Sequence, residues 1–189
     1  MTRLQPPRPE AVADRTRAIF DAVKSRYGAV LEPIAVTALH PEVLEAYFGF
    51  EVAFARARRL PERLRELVNL TAAALLGCPF CLDIGSSESR AAGVTEAMIR
   101  DLPDFAASPA FDAAEKAALE YCTAMTCDRG EVDDALFSRL RGHYSDAEIV
   151  ELTAVVAWEN YRSRFNLALG FTAHGFSQGQ ACALPERTR

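Results

Sequence analysis

Apolar residues recur along this chain at intervals of three and four, the period of a helix that packs through one face. The period-two alternation of a half-buried strand does not occur. Val12, Thr16, Ile19, Phe20, Val23 and Tyr27 share a first stripe, which Gly28 closes as a C-terminal cap. The proline-rich residues 1–9 ahead of it read as a loose arm. Pro41 opens a second long helix with Val43, Leu44, Tyr47, Phe48 and Phe54 facing inward. Pro61 opens a third with Leu64, Leu67, Val68, Thr71 and Leu75 inward, ended by Gly77. A fourth is predicted from near Pro79 to Gly93, then a short one capped by Thr95 and stopped by Pro103. The segment from Pro103 to Phe111 is the best internal break. Asp112 with Glu115, and Ser145 with Glu148, form capping-box patterns that launch helices over 113–127 and 146–169, with a short helix over 132–141 between them. The pattern gives six to eight helices and no internal repeat, and the class is all-α.

A chain of 189 residues, half of them apolar, buries enough surface for a full core, and we expect one domain over 1–189. A net charge of −5 argues against general attraction to nucleic acid or to anionic membranes, both of which favour a basic surface. The basic run Arg56, Arg58, Arg59, Arg63 and Arg65 is interrupted by Glu62 and Glu66, and reads as a solvated face or a subunit contact. The first residues lack the apolar core of a secretion signal, and no later run suits a bilayer, so the expected location is cytoplasmic, with no membrane partner. Apolar side chains on several helices exceed what one small bundle hides, which points to a homo-oligomer.

Five cysteines, at 78, 81, 122, 127 and 182, are an odd number and do not suit a secreted disulfide framework. Cys122, Cys127 and Cys182 read as buried or incidental thiols. Cys78-Pro79-Phe80-Cys81 is different. Pro79 suits a first helical turn, which puts Cys78 near the N-cap and Cys81 in that turn, where free amides and the helix dipole stabilise a thiolate. Such a pair closes and reopens a small disulfide ring. The same spacing could form half of a zinc site, but no second Cys-x-x-Cys or paired histidine completes four ligands. The reading calls for no metal and no cofactor.

The run from Glu66 through Gly77 to Cys78 and Cys81, followed by Ala91-Ala92-Gly93-Val94, resembles the carboxymuconolactone decarboxylase and alkylhydroperoxidase D superfamily. The likeness is strongest from about residue 42 to Gly93. The stretch from Trp158 to Gly170 is similar to the tail of actinobacterial-type members, so the redox core spans about 42–170. The resemblance implies an AhpD-like helical bundle assembled into homo-oligomers. It also implies reduction of a small hydroperoxide, or electron exchange with a protein disulfide, and restoration by a dithiol reductant. By that likeness Cys81 meets the peroxide, Cys78 resolves the sulfenic acid into a disulfide, and Glu66, twelve residues before Cys78, handles protons. On residue type alone, a glutamate on such a helix would be a solvated surface group.

Redox members carry a histidine four residues after the second cysteine, where this chain has Gly85. Glu66 lies roughly 15 Å back along its helix at 1.5 Å per residue, so something must bridge it to the sulfurs. Three replacements are open: a water in the space beside glycine, His143 or His174, or Tyr161 with Asn160 from the last long helix. His40, His143 and His174 otherwise read as ordinary surface residues at helix ends. A glycine within a helix also weakens it by about 1 kcal/mol against alanine, and the bland reading of Gly85 is a weakened helix and nothing more. Two functions therefore compete. One is a thiol oxidoreductase acting through Cys78, Cys81 and Glu66; the other is a catalytically weak helical oligomeric binding module on the same scaffold. Lactone decarboxylation, which in this superfamily relies on histidine and does not use the cysteine pair, fits less well.

Overall fold

Residues 2–127 and 131–183 are described by a computed structural model, and every regular element among them is a helix. Among the described residues nine α-helices follow one another: α1 (Asp14–Tyr27), α2 (Glu32–Thr37), α3 (Pro41–Arg56), α4 (Glu62–Leu76), α5 (Pro79–Ser89), α6 (Glu96–Asp101), α7 (Ala113–Thr126), α8 (Asp134–Arg141) and α9 (Asp146–Leu169). Short 3-10 turns occupy Pro9–Ala11 and Leu102–Asp104. Of the proline-rich arm, Met1 lies outside the described residues, as do 184–189 at the other end.

The boundaries follow from local chemistry. Gly77 sits at φ 70° and closes α4, with the Cys78 N–H reaching back 3.0 Å to the Ala73 carbonyl in a Schellman-type stop. At α7 both halves of the capping box form: the Glu115 N–H donates to Asp112 Oδ1 at 2.8 Å and the Asp112 N–H to Glu115 Oε2 at 3.0 Å. Ser145 and Glu148 make the same exchange ahead of α9. Two elements depart from expectation. α2 spans six residues, less than two turns, too few to show a helical period. α5 ends at Ser89, short of Gly93, where the Ala92 and Val94 N–H groups both turn back to the Ser89 carbonyl.

Contacts within the chain gather into two compact units. The first comprises residues up to Ala57 with Leu169–Phe171, and the second Arg58–Ala168 with residues from Thr172 onward. In the first, Ile19, Val23, Ile34, Ala38 and Leu44 are buried, with Phe20, Tyr47 and Phe48 packed on them. The N-terminal arm is tied at its start, the Arg3 N–H donating 2.9 Å to the Leu169 carbonyl. In the second, α4 packs against α5 and α7, and α7 against α8. Leu64, Leu67, Val68 and Leu70 of α4, Leu82 of α5, Leu119 of α7 and Leu152 and Val156 of α9 are buried there. Each such side chain removed from water contributes about 1.5–3 kcal/mol. No helix among the described residues is long and apolar enough to cross a membrane.

Candidate functional site

The bend from α4 into α5 builds the dithiol. With α4 stopped by Gly77 and φ fixed by Pro79 at the first position of α5, Cys78 falls at the N-cap, and its sulfur accepts the Cys81 N–H at 3.3 Å. The two Cα atoms lie 5.4 Å apart and the sulfurs are paired as a disulfide. A sulfur in the N-cap position takes the place of the usual serine or aspartate oxygen, so the free amides of the first turn favour its anionic form. Cys78 is fully buried and Cys81 is 8% exposed, so any approach from solvent meets Cys81.

Helix α9 lies over the sulfurs through three polar residues on its inner stripe. That stripe runs Ile149, Leu152, Val156, Glu159, Ser163 and Asn166, all buried at alternating three- and four-residue steps. Its first half is apolar and its second half polar. Asn166 donates through Nδ2 to Cys81 Sγ at 3.3 Å and faces Cys78 Sγ at 4.0 Å. Ser163 Oγ lies 3.4 Å from Cys81 Sγ and 2.8 Å from Glu159 Oε1. The other Glu159 oxygen is ion-paired with Arg162 one turn on. An unpartnered polar group in such a position would cost about 1–3 kcal/mol. Here each group has a partner, and the partners lead to sulfur.

Glu66 stands on α4 beside Asn69, Arg65, Arg162 and Glu88. Burial, and then the like charge of Glu88, push its carboxyl above the usual range, with Arg162, Arg65 and Asn69 pulling it back. Arg162 therefore acts on two carboxylates: it is ion-paired with Glu159, and its charge lowers the proton affinity of Glu66.

The chain is 32% identical over 166 residues to the Escherichia coli (strain K12) protein YnjA, covering 87% of this chain and 88% of that protein. Residues 41–124 match the carboxymuconolactone decarboxylase family. This protein belongs to that family. Its fold is also that of the alkylhydroperoxidase AhpD core of an uncharacterised peroxidase-related protein from Ralstonia eutropha JMP134, with a TM-score of 0.83 over 93% of this chain and 94% of that one at 20% identity. A protein of unknown function from Agrobacterium tumefaciens, proposed as an antioxidant defence protein AhpD, is 30% identical, with a TM-score of 0.67 over 71% of this chain and 92% of that one.

At position 85, where the resemblance leads us to expect a histidine, the chain has glycine, and the structure shows what stands there. A Cβ built on Gly85 would come 3.2 Å from Leu70 Cδ2, so the space belongs to a buried leucine of α4. Among the replacements considered from sequence, His143 and His174 are both exposed; His143 meets Tyr144 edge-on at 6.4 Å and His174 sets its ring edge-on to Phe80 at 5.3 Å. The Asn160 amide donates to Thr126 Oγ1 and the Val156 carbonyl, and Tyr161 is stacked between Trp158 and Phe165. The polar groups that reach sulfur come from the same helix as that last pair, but from Ser163, whose hydroxyl oxygen touches Cys81 Sγ, and Asn166, whose amide donates to it. The signal that could have found them was a run of polar residues continuing the apolar stripe of α9.

The other three thiols are not paired in disulfides. Burial pushes the Cys122 thiol up to about 12, and its Sγ–H points to the Val68 carbonyl at 3.5 Å. Cys127 and Cys182 are half-buried, and Cys182 contacts Ser86 Oγ and the Leu82 carbonyl. No group of three or more His, Cys, Asp or Glu side chains suited to hold a metal occurs among the described residues.

Proposed function

We propose that this protein is a thiol-dependent oxidoreductase in which Cys78 and Cys81 cycle between dithiol and disulfide while reducing a small hydroperoxide, and that a dithiol reductant restores them. The observation that carries this reading is the convergence of a backbone N–H, an amide and a hydroxyl on two paired sulfurs at a helix N-terminus. In the reduced state the backbone N–H and the Asn166 amide would hold a thiolate, with the Ser163 hydroxyl in contact. The Cys81 thiolate attacks one peroxide oxygen; an S–O bond forms, the O–O bond breaks, and the departing oxygen takes a proton to leave as an alcohol or water. Cys78 then attacks the Cys81 sulfenic acid, an S–S bond forms, and the hydroxyl leaves with the Cys78 proton as water. Two thiols are oxidised and one peroxide is reduced.

Burial favours a small oxidant over a protein disulfide. Exchange requires three sulfurs to come into line, and a bulky partner would have to reach Cys81 at 8% exposure, whereas a peroxide presents one oxygen. Glu66, held toward its protonated form and linked through Arg162 to the α9 residues, serves in this reading as a proton reserve. The competing binding-module reading leaves the buried donors around sulfur without purpose. The proposed role of the Agrobacterium relative in antioxidant defence supports the same direction.

The test is hydroperoxide consumption under an excess of a small dithiol. The native chain is expected to turn over repeatedly, and Cys81→Ser to lose about 10²-fold or more of the rate. An undiminished rate in Cys81→Ser overturns the proposal.

A further inference from the structure

Ser163 is fully buried and carries one hydroxyl hydrogen for two neighbours. A carboxylate oxygen at 2.8 Å outcompetes a disulfide sulfur at 3.4 Å, so the hydrogen points at Glu159 Oε1 and an Oγ lone pair faces Cys81 Sγ. Reduction of the disulfide places a new S–H proton at that contact. We propose that Ser163 and Glu159 form the proton relay of Cys81, supplied by α9 in place of a side chain at position 85, with Arg162 positioning the Glu159 carboxylate.

The relay deepens the thiol-oxidoreductase reading and rests on it. Ser163 Oγ accepts the Cys81 thiol proton as its own hydrogen passes to Glu159, leaving a thiolate and a neutral carboxyl. When the thiolate takes the distal oxygen of a hydroperoxide, the proton returns by the same two atoms to the departing alkoxide. No proton is gained or lost over the step, and the hydroperoxide is the only oxidant required.

Neighbouring groups fit this direction. Arg162 holds Glu159 in its anionic, proton-accepting form before the step. Cys122 of α7, which feels the charge of Glu159, stays protonated because burial pushes its thiol up to about 12. Glu66 of α4 feels the charges of Glu88 of α5 and of Arg162, the first raising and the second lowering its proton affinity. Gly85 with Leu70 seals the side on which a histidine would have stood.

The experiment is single-turnover oxidation of fully reduced protein by a small organic hydroperoxide, followed by acid quench and thiol count from about pH 6 to about pH 9.5. Glu159→Gln, nearly isosteric, is expected to oxidise about 10²-fold more slowly at neutral pH, with the deficit closing as pH passes the ordinary thiol pKa of about 8.5. Ser163→Ala, which removes one oxygen, is expected to show the same convergence and carries the test if Glu159→Gln does not fold. A deficit constant with pH, or no deficit, overturns the relay while leaving the dithiol reading intact. Failure of the native protein itself to lose two thiols overturns the underlying reading instead.

Discussion

At the scale of single residues, position 85 shows how a side chain of one helix claims the space beside a glycine of another. An imidazole at Gly85 would have to extend past a Cβ already 3.2 Å from the buried Leu70 side chain. Gly85→His is therefore expected to destabilise the protein by about 1–3 kcal/mol through overpacking. Leu70→Ala alone should cost about 2–5 kcal/mol through the cavity it leaves. Denaturant melts of the double variant should show a loss well below the sum of the two, since each change relieves the other. Additive losses would contradict the claim that Leu70 owns the space. The cysteine pair, its N-cap geometry and Gly85 were all legible in the sequence because they lie within eight residues of one another. Asn166, 85 positions beyond Cys81, was not, because nothing local says which buried group an isolated asparagine will meet.

At the scale of elements, helix ends were readable wherever a proline, glycine or capping pair fixed them, and least so where a helix was too short to show a period, as in α2. The segment after α9 illustrates what only packing determines. Asp83 of α5, buried at 2% exposure, accepts N–H groups from His174, Gly175, Phe176 and Ser177, together with the Ser177 hydroxyl, at 2.7–3.1 Å. Burial alone would raise its carboxyl, but the Ser177 backbone and hydroxyl, then Phe176 and His174, outweigh it and hold it below the ordinary carboxylate range. A carboxylate with a depressed folded pKa contributes stability that is present above its ordinary value and lost as pH falls through the folded one. The turn at residues 174–177 is thus expected to stay docked at neutral pH and to loosen in acid. Asp83→Ala should release it at every pH, at a cost of about 2–4 kcal/mol, because exposed turn amides recover part of their hydrogen bonding from water. Hydrogen exchange and limited proteolysis over 172–183 measure this directly, and unchanged protection in Asp83→Ala would contradict it.

At the scale of the whole molecule, every residue named at the dithiol centre lies in the second compact unit, on α4, α5 and α9. Two of these helices carry the residues named from sequence. The third was considered as a source of a replacement through Tyr161 and Asn160, but Glu159, Ser163 and Asn166 of its polar half-stripe were not singled out. The account stands or falls on whether Cys78 and Cys81 exchange electrons as a pair. The most direct measurement is intact mass with a free-thiol count on the reduced protein, before and after one equivalent of an organic hydroperoxide, for the native chain and for Cys78→Ser and Cys81→Ser. The native chain is expected to lose the mass of two hydrogens and two titratable thiols, recovered with dithiol, while neither variant forms that bond. Unchanged thiols in the native chain, or the same two-hydrogen loss in a variant lacking either cysteine, would contradict it.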